Sequence, residues 1–120
     1  MDDTENELLT VERELLGENI VILKMSGELD LATVHLLSGQ LKSVAEGDRE
    51  AVIIDATQVG FMDSTGLHAL VEGKRQIHEA GKRIFLVPSN QVRRVLELVF
   101  PDRLFADRLD DIEQAIEAAT

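Results

Sequence analysis

Val52-Ile53-Ile54-Asp55, followed shortly by Phe61-Met62-Asp63-Ser64-Thr65-Gly66-Leu67, decides how this chain is read. The first run, within Ala51 to Ala56, is continuously apolar and β-branched, which predicts a central strand buried on both faces. The second opens a helical pattern that runs to His78, with Leu67, Leu70, Val71 and Ile77 on one side. It stops at Gly81, a residue suited to the left-handed turn that ends helices. Ser64 falls at the mouth of that helix and is predicted to be its N-cap, with Thr65 the first helical residue. The same free N–H groups and the positive end of the helix dipole also suit a phosphate built onto the Ser64 hydroxyl. Two readings stay open on spacing alone: a plain capping serine, and a cap that is also a phosphoacceptor.

Outward from this stretch the element types alternate. Leu8 to Arg13 and Ile20 to Met25 read as strands separated by the turn cluster Gly17-Glu18-Asn19. Ser26-Gly27-Glu28-Leu29-Asp30 ends the second of them. Val34, Leu37, Leu41 and Val44 recur at three- and four-residue steps, an amphipathic helix closed by Gly47-Asp48. Arg83 to Val87 is a further strand, and Pro88-Ser89 starts a helix carrying Val92, Val95, Leu96 and Val99 that Pro101 ends. A short strand from Leu104 to Ala106 then precedes a last helix from Asp110 to Ala119, with Ile112, Ala115 and Ile116 inward. The fold class is therefore α/β: a mixed sheet of about four to five strands with about four helices, its N-terminal pair antiparallel and its later strands joined by helical crossovers. Sites in such sheets form at the carboxyl ends of strands. Asp30, Asp55 and the Ser64 loop all follow strand patterns and are expected to cluster.

Composition narrows the function. A chain of 120 residues is one domain, read as an acidic flexible tail over 1–7 and a folded unit over 8–120. It has no cysteine, so disulfides and thiolate metal sites are excluded. No apolar run reaches the ~18 residues of a membrane span, and no signal-peptide pattern opens the chain, so a cytoplasmic protein without membrane attachment is expected. A formal net charge of −11 argues against nucleic acid as a partner. The charge is uneven: residues 1–63 hold 14 acids and 4 bases, residues 64–120 hold 9 acids and 8 bases. Glu28, Asp30, Asp55 and Asp63 fall at strand ends or loops, where a gathered acidic rim suits a basic protein partner.

Catalytic readings fail on particular residues. A nucleophile elbow needs Gly-x-Ser-x-Gly; Gly66 supplies the second glycine, but Met62 stands where the first belongs. The histidines His35, His68 and His78 all lie within helical patterns, and none follows a later strand. An aspartyl-phosphate receiver built on Asp55 requires a lysine after a late strand, and Val87 leads directly into Pro88. A phosphate-binding Gly-x-x-x-x-Gly-Lys-Ser/Thr run is also missing. The chain is read as a binding module, not an enzyme, with no cofactor and no metal.

Together, Ser26-Gly27-Glu28-Leu29-Asp30 and Phe61-Met62-Asp63-Ser64-Thr65-Gly66-Leu67 resemble the STAS domains of bacterial anti-sigma factor antagonists. The resemblance runs from about Leu8 to Ala118 with matching element order. Phe100-Pro101-Asp102-Arg103-Leu104 departs from the Gly-Leu pair common before the last strand of that family. The resemblance implies a single STAS-type domain whose Ser64 is phosphorylated by a partner anti-sigma factor, a serine kinase, and reset by a serine phosphatase. It implies that the unphosphorylated form binds the kinase and frees a sigma factor for transcription. On that basis Ser64 is the phosphoacceptor. Asp30, Met62, Asp63, Thr65, Gly66, Leu67 and His68 form the phosphorylation loop and partner-binding set, Gly66 allowing close approach. Leu67 also reads as the first core residue of its helix. The alternative is a non-switching STAS scaffold subunit of a stress-sensing or transport-related assembly.

Overall fold

The computed structural model describes residues 8–99 and 111–120. In chain order the elements are β1 (Leu9–Leu16), β2 (Ile20–Leu29), α1 (Val34–Glu46), β3 (Ala51–Met62), α2 (Ser64–Glu79), β4 (Arg83–Pro88), α3 (Asn90–Val99) and α4 (Ile112–Ala119). The strands form one sheet in the order β1-β2-β3-β4. β1 and β2 are antiparallel across the Gly17 turn, where Gly17 takes φ 60°. β2, β3 and β4 are parallel, joined through α1 and α2 as helical crossovers. This is the mixed α/β architecture that the alternating pattern implied. The expected strand Leu104 to Ala106 and the Pro101 stop lie outside the described residues, as does the expected acidic tail over 1–7.

Register explains why the central runs are apolar throughout. Val21, Val52 and Ile84 align in one row and Leu23, Ile54 and Leu86 in another, all facing α1, α2 and α3. Ile20 with Ala51, and Ile22 with Ile53 and Phe85, face the opposite way, where Ala115 and Ala119 of α4 cover them. Alternate side chains of β3 thus meet different helices, so neither face tolerates a polar residue until α4 runs out. In the next row the second face turns polar away from β4: Glu12, Lys24 and Asp55 share it with Val87, which stays buried in the cluster that α4 covers. Lys24 pairs there with Glu14 at 2.8 Å, and that bond holds the Lys24 ammonium above its ordinary pKa.

Two strands are longer than their apolar cores. β2 continues through Ser26-Gly27-Glu28 to Leu29, and β3 through Thr57-Gln58-Val59-Gly60 to Met62. These extensions are polar and glycine-containing, with the composition of loops. They are strands because each is the other's hydrogen-bonding partner, Gly27 beside Val59 and Leu29 beside Met62, with register shifts between Lys24 and Ser26 and between Gly27 and Glu28. Asp55 consequently sits within the sheet and not at the carboxyl end of its strand. Its Oδ1 accepts from the backbone N–H and the hydroxyl of Thr57. The expectation that Asp55 joins the Ser64 loop is overturned by this continued pairing.

Helix ends follow their local chemistry. α2 ends where Gly81 adopts φ 76°, its N–H donating to the His78 carbonyl and that of Lys82 to the Ile77 carbonyl. This is the paired-bond helix stop that a C′ glycine allows. Ser89 caps α3 by accepting from the Val92 N–H at 3.1 Å, and its hydroxyl donates to the Val59 carbonyl at 2.6 Å. α4 begins at Ile112, two residues later than its periodicity suggested, because the Asp111 carboxylate accepts from the Gln114 N–H and so becomes the cap. Gly27 has the tightest requirement. It takes φ 119°, and a Cβ there would lie 2.0 Å from the Leu8 carbonyl oxygen.

Gly27→Ala is therefore expected to destabilise the domain by at least the ~1–3 kcal/mol of the glycine-only backbone conformation. Gly39→Ala, within α1 and facing open space, is expected to stabilise it by about 0.5–1 kcal/mol. Urea unfolding of both variants beside the wild type checks the opposite signs.

Candidate functional site

The extensions of β2 and β3 carry two loops to the same end of the sheet. In the first, Asp30 Oδ1 accepts from the Ala32 N–H at 3.0 Å, and the Asp30 carbonyl accepts from the N–H groups of Thr33 and Val34. Thr33 is fully buried, and its hydroxyl donates to the Glu28 carbonyl at 2.7 Å while accepting from the Asp30 N–H at 3.0 Å. The turn is thus tied to the strand it leaves from both sides. Leu31, between these ties, is 76% exposed.

In the second loop the structure reassigns the cap. Asp63, not Ser64, is the N-cap of α2: it is extended, at φ −100° and ψ −173°, and its Oδ1 accepts from the Gly66 N–H at 3.0 Å. Its own N–H donates to the Leu29 carbonyl at 3.3 Å, and its carbonyl accepts from the Leu67 N–H at 3.0 Å. Both Asp and Ser cap helices well. Here the extended residue directly before the helix is the aspartate, so the carboxylate takes the bond. Ser64 becomes the first helical residue and Thr65 the second. Among the described residues this leaves the N–H groups of Ser64 and Thr65 open at the helix start. The Ser64 side chain is exposed, and Thr65 is half-buried.

The rest of the predicted set divides by burial. Met62, Gly66 and Leu67 are buried and face inward. A Cβ on Gly66 would lie 2.5 Å from the Leu29 carbonyl oxygen and 2.9 Å from Met62 Cγ. Within this chain, the close approach that Gly66 permits is between α2 and the end of the sheet. Met62 and Leu67 belong to the core beneath the loop, and their assignment to a contact surface is corrected accordingly. His68 is exposed about one helical turn beyond Ser64. It is followed along the same exposed side by Glu72, Arg75 and Glu79, where Arg75 bridges both glutamates. Those bonds raise the Arg75 guanidinium and lower the Glu72 carboxyl from their ordinary values.

Asp30 and Asp63 come to the same depression. With Leu31, Ala32 and Phe61 they line one open depression of about 380 Å³. Of the acidic rim expected from sequence, Asp30 and Asp63 line this depression and Glu28 is the register partner of Phe61 beside it; Asp55 lines a different hollow with Lys24 and Glu12. Sequence reasoning missed Leu31, Phe61 and Thr33 here. A signal for Phe61 existed, since an inward Met62 on a strand sends its neighbour to the other face. Both carboxylates are engaged in a turn and a cap, and among the described residues no group of three or more His, Cys, Asp or Glu could hold a metal ion.

An exposed serine thus opens α2 beside a capping acid, at one end of a small mixed sheet. The chain belongs to the STAS domain family, whose model matches residues 16–119. The anti-sigma-F factor antagonist RsfB of Mycobacterium tuberculosis is 28% identical over 86 residues, covering 72% of this chain and 70% of that protein. The crystal structure of an anti-sigma factor antagonist from Mycobacterium paratuberculosis is similar with a TM-score of 0.79 at 22% identity, over 92% of this chain and 93% of that one. SpoIIAA, the Bacillus cell fate determinant, in its phosphorylated form has a TM-score of 0.74 at 22% identity, over 92% of this chain and 100% of that one. At these identities the structural likeness establishes the fold. Among the described residues no helix is long and apolar enough to cross a membrane.

The reassigned cap separates two neighbours energetically. Asp63→Ala is expected to cost about 0.5–2 kcal/mol of stability, with Asp63→Asn retaining most of it. Ser64→Ala, an exposed change outside the cap, is expected to stay within about 0.5 kcal/mol of wild type. Thermal melts of the three variants give the ranking.

Proposed function

We propose that this protein is an anti-sigma factor antagonist. It binds an anti-sigma factor that is also a serine kinase and is switched off by phosphorylation of Ser64. The observation that carries this reading is the exposed Ser64 at the first position of α2, beside the Asp63 cap. Two comparisons support it: the chain is a STAS domain whose relatives are named anti-sigma factor antagonists, and one similar fold was solved in a phosphorylated form. Thr65 is the poorer acceptor because it is half-buried. The protein acts as substrate and ligand, not as catalyst, and a serine phosphatase restores it.

Magnitudes show that local charge suffices. A phosphoserine carries roughly −1.5 to −2 charges at neutral pH. Held at the start of α2 it faces the open N–H groups of Ser64 and Thr65, which favour an anion. It also stands beside the Asp63 carboxylate. Two like unit charges ~4 Å apart repel by about 4 kcal/mol at an effective dielectric near 20, and a partner covering the loop must desolvate the dianion as well. Since about 1.4 kcal/mol is tenfold in affinity, binding changes by orders of magnitude without refolding.

Incubation with ATP and the anti-sigma factor kinase of the same organism is expected to add one phosphate, located on Ser64 by fragment mass spectrometry and absent in Ser64→Ala. Calorimetric titration is expected to rank affinity for the kinase as wild type and Ser64→Ala together, then Ser64→Asp, then the phosphorylated protein. Equal affinity for phosphorylated and unphosphorylated forms would refute the switch.

A further inference from the structure

We propose that Leu31 and Phe61 form an apolar anchor that seats in a hollow of a partner protein bordered by arginine or lysine, so that affinity and switching reside in different side chains of one surface. The proposal rests on the reading of Ser64 as the switch and names the chemistry of the partner that meets it. Leu31 is 76% exposed and Phe61 43% exposed. Both line the depression that Asp30 and Asp63 also line. Large apolar side chains placed together at a polar rim mark a contact surface, whereas single ones scattered over a protein do not.

Neither side chain owes its exposure to a loose backbone. Leu31 is carried on the turn held by the Asp30–Ala32 and Thr33–Glu28 hydrogen bonds. Phe61 stands on β3, paired with Glu28 of β2. Met62 and Leu29 point into the core at the next register position, so Phe61 is directed away from it. A display fixed before binding loses little freedom on association, which is how a small apolar pair yields affinity.

Charge selects the occupant. The depression is lined by two acids and no base, on a chain of net charge −11. A second copy meeting this face symmetrically would set Asp30 and Asp63 against their own counterparts. Anionic membrane and nucleic acid are repelled for the same reason. A basic protein rim around an apolar hollow matches both features, the acids steering approach and the apolar pair holding the complex.

The test uses the full chain and, as probe, the purified anti-sigma factor kinase that phosphorylates Ser64. Leu31→Ser and Phe61→Ser are each expected to weaken binding by about tenfold or more, mainly through faster dissociation. Leu15→Ser, at an exposed site on the edge strand β1, is expected to change it by less than about twofold, the scale of ordinary surface substitutions. Asp30→Asn keeps an oxygen for the turn and is expected to slow association and flatten its salt dependence. Thermal melts confirm that each variant is folded; should Phe61→Ser prove unstable, Phe61→Leu beside Leu31→Ser carries the comparison. Unchanged affinity in the folded anchor variants, with Ser64 phosphorylation still abolishing binding, overturns the anchor and leaves the switch intact. No binding by wild type at all overturns both. A dimer seen by sedimentation, or flotation with anionic vesicles, that Leu31→Ser abolishes would assign the face elsewhere and equally overturn the proposal.

Discussion

The first turn of α2 lies so close to the end of β2 that no side chain fits between them. Gly66 is the residue at that contact, with the Leu29 carbonyl, the Leu29 side chain and Met62 packed around the place a Cβ would occupy. This approach fixes where the helix begins and therefore where its first residue, Ser64, is displayed. The Asp63 N–H reaching Leu29 and the Asp63 carboxylate reaching Gly66 close the same junction from either side. An alanine at Gly66 would push the helix outward and loosen all of these bonds together. The geometry of the rim is thus set by packing beneath it and not by the loop itself.

A second constraint makes that junction possible. β2 and β3 must extend past their apolar cores to carry both loops to one end, and the extension depends on Gly27, whose backbone conformation lets Leu8 approach. The buried Thr33 then turns the chain into α1 by bonding back to the strand. Strand length, turn and helix start act as one unit, and the acids of the rim are parts of that unit. Asp30 and Asp63 are structural and electrostatic at once: each forms a local hydrogen bond and leaves its charge at the surface.

What could be read from the residues follows from how local the cause is. The runs of β1 to β4, the amphipathic α1 and the Gly81 stop are decided by periodicity and by single-residue conformational preferences, and all appear in the structure. The strand extensions were not legible, because Thr57 to Gly60 has the composition of a loop and becomes strand only by pairing with a distant segment. The cap was missed for a narrower reason. Asp63 and Ser64 are both good capping residues, and which one is extended depends on where the sheet ends. Met62 and Leu67 were drawn into the contact surface by their neighbours in the motif, although strand alternation and helical spacing place both inward. Leu31 lies outside every periodic pattern, and its exposure could not be known before the turn that presents it.

Placing the cap on Asp63 and the hydroxyl on Ser64 has a consequence for how such a module diversifies. Where one serine both starts the helix and receives the phosphate, losing the regulation means injuring the fold. Here the cap is Asp63 and the hydroxyl proposed to take the phosphate is that of Ser64, so the helix start does not depend on the hydroxyl at position 64. A lineage carrying this arrangement can abandon the modification, or recover it, through a single codon without passing through an unstable intermediate. On the proposed function, a regulated domain and a constitutive one of this design differ by one substitution at a position that does not cap the helix.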